Sequence, residues 1–413
     1  MLFVYARMPY RFFMTNDSPT PITTSDALAA YCAEQANSGY LAVDTEFVRE
    51  STYYPILCLV QVAGDTGEAV AIDTMADGLD LGPLYDLLAN PKILKVFHAA
   101  RQDLEIFYNK TGSVPAPIFD TQVAAMVCGL GDQIGYEPMI GKLLNQAIDK
   151  SSRFTDWSKR PLSERQISYA LSDVIYLRPA YEKLRDQLKK NNRAGWLDEE
   201  MAVLTSAETY RMDPADAWKR IKSRGLKARG LAILQEIAAW REAEAQRRDM
   251  PRNRLLRDDT LLDIAGSAPT NAQALSRIRG LSKGHVDGSV GKAIIEAVTA
   301  VMERPKESLP RPEKRDALPQ GIGPVSDMLK ILLKQRCEDA GIVSRLVANA
   351  DELNRLAAGE TDGLPALSGW RHELFGKDAL DLKAGRLALT VQGNKVEILP
   401  MSDRKSSGTG AEA

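Results

Sequence analysis

Short apolar runs separated by polar turns occupy the first part of the chain and predict β-strands. They lie at residues 41–47 (LAVDTEF), 56–63, 68–73 and 92–97. The turn Gly-Asp-Thr-Gly between the second and third runs predicts a hairpin. Strands that then give way to alternating strands and helices are typical of an α/β domain with a mixed sheet.

Helical patterns with identifiable ends dominate the rest of the chain. The segment AARQDLEIFYN directly follows the fourth strand and places Leu104 and Phe107 on its inner face. Asp120 is predicted to cap the next helix, and Ser163 with Gln166 has the pattern of a capping box. Past about residue 205 the strand pattern almost stops, which predicts all-α domains after the α/β domain.

Composition and charge narrow the possible functions. The chain has 413 residues, of which 44% are hydrophobic, and its net charge of −2 excludes a uniformly basic nucleic-acid coat. Its four cysteines form no CxxC pair, which argues against a thiolate zinc site and for a reducing compartment. No apolar run approaches the ~18 residues of a membrane span, and no signal peptide is recognisable, so we expect a cytoplasmic protein without membrane association.

Four carboxylates occupy structurally special positions. Asp44 and Glu46 lie two residues apart on a strand, so both point to the same face, although this pair alone is equally typical of solvated acids. Asp103 lies in the first turn of a helix, where it also suits the positive helix end. Asp173 lies on the helix after Ser163, one turn beyond Tyr169.

Convergence of these acids would require positive charge to offset their repulsion. Carboxylate oxygens are ligands for hard cations, so we expect two Mg²⁺ or Mn²⁺ ions. Such a pair of ions serves in-line phosphoryl displacement. The Tyr169 hydroxyl would then position the attacking water, because a phenol is a weak base near neutral pH.

Three stretches of this sequence resemble the exonuclease motifs of the DEDD superfamily. They are LAVDTEF, VFHAARQDLEIF and YALSDVIYL, and the tyrosine of the third is typical of the Tyr-containing branch. The stretch DWSKRPLSERQISYALSDVIYLRPAY is similar to the ribonuclease D family in particular. Residues 210–304 resemble the helical HRDC domain, and the residues after 321 resemble a divergent second copy.

The resemblance implies an RNase H-like exonuclease fold and hydrolytic, metal-dependent 3′→5′ exoribonuclease activity. It implies trimming of tRNA precursors and other structured RNAs with release of 5′-mononucleotides. Asp44, Glu46, Asp103 and Asp173 match the metal ligands of the family, and Tyr169 matches its water-positioning tyrosine.

The implied domain organisation covers nearly the whole chain. Its parts are an N-terminal extension (1–20, with Met1, Met8 or Met14 as the start), a 3′→5′ exonuclease domain (21–205), a first HRDC domain (210–304), a linker (305–321), a divergent HRDC-like domain (322–400) and a tail (401–413).

Four further residues are candidates for substrate binding. Phe47 is placed to stack on the terminal base, His98 to lie at the edge of the site, Gln102 to bond the nucleotide and Arg160 to contact phosphate. Packing explains Phe47 equally well, a structural hydrogen bond explains His98, and exposure to solvent explains Gln102.

The expected partner is RNA with a single-stranded 3′ end, bound by a monomer without an obligate protein partner. Basic clusters at residues 219–229 and 247–257 favour contact with the RNA backbone. The alternatives are a DNA exonuclease of the same branch, a non-enzymatic RNA-binding scaffold and a structural helical adaptor. The absence of polymerase or helicase motifs argues against the first, and the full set of acids argues against the other two.

Overall fold

The computed structural model describes residues 20–149, 152, 155–223, 225–311 and 319–401. Residues 1–19 of the predicted extension, 312–318 of the predicted linker and 402–413 of the predicted tail lie outside the described part. The exact boundaries of the domains stay predictions.

A five-stranded mixed sheet forms the centre of the first part of the chain. Its strands are Tyr40–Val48 (β1), Ile56–Gly64 (β2), Val70–Ile72 (β3), Leu94–Phe97 (β4) and Ile118–Asp120 (β5). The order is β3-β2-β1-β4-β5, with β1 antiparallel to β2 and parallel to β4. The predicted α/β class and the hairpin of β2 and β3 are confirmed. The sequence does not predict β5, because its three residues follow a proline-rich stretch.

Helices cover both faces of this sheet. They are Ser25–Gln35 (α1), Gly82–Ala89 (α2), Arg101–Thr111 (α3), Thr121–Val127 (α4), Tyr136–Leu144 (α5), Glu164–Ile175 (α6), Leu177–Lys190 (α7) and Asp198–Thr205 (α8). Leu41 and Val43 of β1 pack in a core with α1, α2 and α3. Tyr40 and Ala42 pack in a second core with α4, α5, α6 and α7. Side chains of β1 therefore alternate between the two layers, and even-numbered ones face α6 and α7.

Hydrogen bonds at the helix ends fix where two of these helices begin. The predicted capping box is present at the start of α6, where the Ser163 hydroxyl accepts from the Gln166 backbone N–H and the Gln166 side chain bonds the Ser163 N–H. Asp120 caps α4 by accepting from the Gln122 N–H at 2.8 Å, as predicted.

Asp120 has a second set of partners in the turn before α3. Its carboxylate accepts from the N–H groups of Ala99 at 3.1 Å and Ala100 at 2.9 Å. Ala99 has a φ of 58°, a left-handed conformation that an alanine adopts only when surrounding contacts hold it there. One buried carboxylate thus fixes the starts of both α3 and α4.

The rest of the chain is almost entirely helical and has two further cores. The first core is built from Ala228–Arg247 (α9), Arg252–Leu255 (α10), Asp258–Ser267 (α11), Ala272–Leu275 (α12), Lys283–Asp287 (α13) and Ser289–Glu303 (α14). The second involves Ile322–Ala340 (α15), Ala350–Ala358 (α16), Gly369–Arg371 (α17), a π turn at His372–Gly376, Lys377–Lys383 (α18) and a hairpin of Leu387–Gln392 (β6) and Lys395–Pro400 (β7). Short 3₁₀ turns lie at Ala194–Leu197, Ala207–Thr209, Pro214–Arg220, Lys306–Ser308, Ser344–Leu346 and Pro365–Leu367.

The C-terminal helices dock directly on the α/β domain. The rings of Trp196 and Trp370 stack with centroids 4.3 Å apart and planes 6° from parallel. Next to this stack, the buried Arg371 pairs with two carboxylates of α8, one of them Glu200 at 2.6 Å. A β-carbon added at Gly129 would collide with the backbone oxygen of Gly341, so the two backbones meet without intervening side chains.

None of the described helices combines the length and the apolar character that crossing a membrane requires. All four cysteines are buried and unbridged, at positions Cys32, Cys58, Cys128 and Cys337.

The double role of Asp120 predicts a large stability effect. Asp120→Ala removes a helix cap and leaves the N–H groups of Ala99 and Ala100 unpaired, which we expect to lower the free energy of unfolding by about 3 kcal/mol. Asp120→Asn retains one acceptor oxygen and should lose roughly half as much. Urea denaturation of both variants measures this difference, and wild-type stability of Asp120→Ala would contradict it.

Candidate active site

Three carboxylates meet where β1 faces α6. Asp44 and Glu46 point to the same side of β1, and Asp173 projects from the second half of α6. Their ligand oxygens all lie within 4.8 Å of one another. The ladder between β1 and β2 becomes irregular directly after Glu46, as β-bulges next to active sites commonly do. The structure thus brings together three of the four predicted ligands in one cluster.

Asp103 reaches the same region from the opposite layer. It lies in the first turn of α3, is 7% exposed and accepts a hydrogen bond from the Thr45 hydroxyl. Thr45 lies between the two acids of β1, so this bond ties α3 to the catalytic strand. Asp103 is outside the cluster of three, and its strongest electrostatic neighbour is Asp44.

Repulsion and burial act on these acids together. Burial, followed by the charges of Asp44, Asp173 and Asp103, raises the pKa of Glu46 to about 10. Burial and the charge of Asp173 raise the pKa of Asp44 well above its ordinary value. Burial and Asp44 likewise raise the pKa of Asp103, although the Thr45 hydrogen bond opposes the change. Glu46 therefore holds a proton at neutral pH unless a bound cation replaces it, and burial and repulsion oppose the ionisation of Asp44 and Asp103 as well.

Asp44, Glu46 and Asp173 line a cavity of about 600 Å³ whose described walls contain no lysine or arginine. A cluster of carboxylates without a cationic side chain fits a divalent metal ion, because hard oxygen ligands suit Mg²⁺ and Mn²⁺. The donor set present here therefore matches the predicted cofactor class.

Tyr169 lines the same cavity as the acids. It lies on α6 one turn before Asp173, as the sequence predicts. Its ring centroid is 6.2 Å from that of Trp157, which is 3% exposed and belongs to the core. Its place on α6 beside Asp173 brings the tyrosine to the site.

Two of the predicted substrate-binding residues lie near the site, and they differ in exposure to the cavity. His98 lines the cavity, and its Nδ1 lies 3.0 Å from the Thr121 hydroxyl oxygen. Burial lowers the pKa of His98 to about 4, so the imidazole is neutral at physiological pH. Phe47 follows Glu46 but packs half-buried against the core of α1, α2 and α3.

The other two lie away from the cavity. Gln102 is exposed in the first turn of α3 and is not among the lining residues. The predicted phosphate contact of Arg160 is wrong for this conformation, because every N–H group of its guanidinium already has a partner. These partners are the Asp73 carboxylate and the backbone oxygens of Trp157, Lys159 and Cys58.

The sequence analysis missed four polar residues that line the cavity: Thr45, Gln122, Tyr136 and Glu137. The Tyr136 hydroxyl donates a hydrogen bond to the backbone oxygen of Asp173 at 2.5 Å. This bond helps to fix the backbone of α6 at Asp173. The ring of Tyr136 also packs edge-on against His98, with centroids 5.5 Å apart. Nothing in the sequence around Tyr136 distinguishes it from an ordinary first residue of a helix.

Comparison with known proteins identifies two domains. Residues 19–189 match the family model described as 3′–5′ exonuclease, and residues 230–298 match the HRDC domain. The assignment of residues 322–400 as a second HRDC-like domain stays a prediction.

Similarity to whole proteins extends over nearly the entire chain. The chain is 48% identical to a ribonuclease D of Acidiphilium cryptum over 93% of its own length and 97% of that protein. It is 50% identical to a ribonuclease D of Jannaschia sp., covering 92% of this chain and 99% of that protein. The crystal structure of Escherichia coli RNase D, an exoribonuclease involved in structured RNA processing, superposes with a TM-score of 0.79 at 33% identity; the match covers 89% of this chain and 99% of that one.

These matches confirm the resemblance drawn from the three motifs, the RNase H-like exonuclease fold and the helical HRDC region after it. The fold also implies the use of divalent metal, in agreement with the acidic cluster. The chain therefore belongs to the ribonuclease D family of 3′–5′ exoribonucleases.

Proposed function

We propose that this chain trims structured RNAs that end in a short single-stranded 3′ tail, tRNA precursors among them, and releases 5′-mononucleotides by hydrolysis. The observation that carries the proposal is the cluster of Asp44, Glu46 and Asp173 within 4.8 Å in a cavity without a cationic wall residue among the described residues. The substrate follows from the RNA processing named for the Escherichia coli relative.

The acids divide between two metal positions in this proposal. Asp44, Glu46 and Asp173 would hold one cation, and Asp103 with Asp44, its main electrostatic neighbour, would hold the second. Two bound Mg²⁺ or Mn²⁺ ions supply the positive charge that in-line displacement at phosphorus requires.

The side chains around the metals hold the reactants in place. The Tyr169 hydroxyl orients the water for attack on the terminal phosphodiester. Because the pKa of Glu46 is raised, its carboxyl would release a proton when a metal ion binds. His98 stays neutral and offers the terminal nucleotide a hydrogen bond without a charge. Phe47 and Gln102 would meet the nucleotide only where it extends beyond the cavity.

Contact with the RNA backbone falls to fewer residues than the basic clusters contain. Lys219 pairs with Asp216, and Arg247 and Arg248 pair with Glu244, so part of this charge is neutralised within the chain. Lys222, Lys227 and Arg257 form no ion pair within 4 Å among the described residues, and we assign the salt-sensitive RNA contact to them. We further propose a monomeric, cytoplasmic enzyme, for which the unbridged cysteines are the support.

The decisive test is a product ladder. A labelled tRNA with a 3′ extension, and a DNA strand with the same tail sequence, are incubated with the purified protein with and without divalent metal. We expect stepwise shortening of the RNA and mononucleotide release only with metal. Preferential digestion of the DNA tail would favour the alternative DNA exonuclease.

Asp44 interacts with each of the other acids and belongs to both proposed metal positions, so its loss should abolish most of the activity. Asp44→Asn is expected to lower hydrolysis by at least about 10³-fold, equivalent to ~4 kcal/mol of transition-state stabilisation. EDTA should abolish wild-type activity, and Mg²⁺ or Mn²⁺ should restore it. Retained hydrolysis in either experiment would exclude the metal assignment.

Tyr169→Phe tests water positioning. Removal of the hydroxyl alone should reduce kcat by about 10- to 100-fold and leave KM within about threefold, because the phenol acts on the attacking water and not on RNA binding. Tyr108→Phe, in the core on the other side of the sheet, is the matched control and should retain wild-type kcat.

The pKa of Glu46 predicts how stability depends on pH without metal. It is about 10 in the folded protein against an ordinary value of 4.5, so the folded state keeps a proton that the unfolded chain releases. The contribution of the Glu46 carboxyl to the free energy of unfolding is therefore fully present below about pH 4.5 and is lost as pH rises towards 10.

Glu46→Gln cannot ionise and should flatten this dependence. In EDTA at pH 8 we expect it to be more stable than wild type by about 1–2 kcal/mol, a value kept small because the carboxyl is partly exposed. Saturating Mn²⁺ should reverse the order, since binding stabilises only the intact site. Thermal unfolding measures both effects, with the exposed Glu34→Gln as control, and parallel pH profiles of Glu46→Gln and wild type would refute the prediction.

A further inference from the structure

The segment directly after the catalytic strand is held by the helical part of the chain. Residues 49–55 connect β1 to β2 and come directly after the strand that carries Asp44 and Glu46. Segments between strands are ordinarily the mobile part of a sheet, exposed to solvent and fixed by few contacts. This one is tied down at both of its ends.

At its start, the segment is bonded to α3. The guanidinium of Arg49 forms a two-pronged ion pair with the Glu105 carboxylate, with N–O distances of 2.7 and 2.9 Å. Glu105 lies two residues beyond Asp103 on the same helix. The beginning of the segment is therefore connected to the element that brings Asp103 to the site.

At its far end, the backbone of the segment is bonded to the end of α9. The N–H groups of Tyr53 and Tyr54 both donate to one carboxylate oxygen of Asp249, each at 3.0 Å. Asp249 has a φ of 46°, a conformation that asparagine and glycine also adopt readily. About 195 residues of sequence separate the partners, so this contact belongs to the tertiary structure.

The side chain of Tyr53 continues the contact into a buried polar network. Its hydroxyl donates to Glu242 of α9, which is fully buried, and accepts from the Gln246 amide at 3.2 Å. Arg252 donates to the same Glu242 carboxylate at 2.8 Å and lies over the Tyr53 ring, 5.5 Å from its centroid. Arg254 adds a bond to the Glu50 backbone oxygen at 3.1 Å.

The position of Glu46 depends on the residues that come after it in the chain. The pairing of β1 with β2 shifts register between Glu46 and Phe47 and then continues for only two more pairs, Phe47 with Leu57 and Val48 with Ile56. The anchors of residues 49–55 follow directly after these two pairs and hold the connection between the two strand ends. Movement of this segment would therefore displace the carboxylate at the end of β1.

We infer that α9, through Asp249, Glu242 and Tyr53, is a positioning element of the nuclease: it fixes residues 49–55 and thereby sets the geometry of Glu46. The inference rests on the proposed function. The inference goes beyond RNA binding by the helical domain, because the α9 contact would affect hydrolysis of RNA that is already bound. Misplacement of a catalytic group by ~1 Å costs about 10²-fold in rate, so small shifts suffice.

A pair of substitutions at one residue isolates the contact. Asp249→Gly removes the acceptor but keeps the backbone conformation, whereas Asp249→Asn keeps both an acceptor oxygen and the conformation. Asp216→Asn, an exposed residue of the same helical part that pairs only with Lys219 in the described structure, is the matched control. Single-turnover hydrolysis of a single-stranded RNA is measured over a range of excess enzyme, with Mn²⁺ saturating.

This measurement separates chemistry from binding. We expect the rate constant at saturating enzyme to fall about 10- to 100-fold in Asp249→Gly, while the half-saturating enzyme concentration changes by less than about threefold. Asp249→Asn and Asp216→Asn should stay within about threefold of wild type for both quantities. If Asp249→Gly fails to fold, Tyr53→Phe, which removes one hydroxyl, should lower the same rate constant.

An unchanged rate constant with a raised half-saturating concentration would overturn the inference, since α9 would then serve RNA binding alone. An equal loss in Asp249→Asn and Asp249→Gly would also overturn it, because the acceptor oxygen would not matter. A wild-type protein that hydrolyses no RNA would overturn the proposed function and this inference together. If the wild-type protein hydrolyses RNA, either of the first two results overturns this inference and leaves the proposed function standing.

Discussion

Repulsion among carboxylates gathered around Asp44 is the constraint on which the nuclease domain depends. Each of these acids would be more stable in water, and together they raise one another's pKa. The fold holds them because β1 is the central strand, paired on both edges, and cannot move its side chains outward. The ions that relieve the repulsion are therefore part of the stable state as well as of the chemistry.

The same strand supplies both layers of the domain. Asp44 and Glu46 point from one face of β1 towards α6. On the other face, the Thr45 hydroxyl donates a hydrogen bond to Asp103 of α3. Asp120 completes this arrangement by fixing the turn from which α3 starts. The site is thus assembled from one strand and two helices, and the hydrogen bond from Thr45 to Asp103 ties α3 to that strand.

Local patterns made much of this predictable, and long-range contacts made the rest unpredictable. Alternation along LAVDTEF placed Asp44 and Glu46 on one face, and helical spacing placed Tyr169 one turn from Asp173. The three-residue β5 has no pattern of its own and exists only because β4 lies beside it. The ion pair of Arg160 with Asp73 spans 87 positions, so a residue that suits phosphate by type is used for structure instead.

The meeting of Gly129 with Gly341 has a consequence for how the C-terminal part is attached. The carbonyl oxygen of one chain segment fills the place of a β-carbon on the other, so the fit is set by main-chain shape. Beside this meeting point Arg193 donates to the Ala340 carbonyl at 2.6 Å, and the neighbouring tryptophans and Arg371 add further contacts. Shortening the protein before α15 would thus expose a strip of bare main chain at Gly129 and leave the Arg193 guanidinium beside it without its acceptor at Ala340.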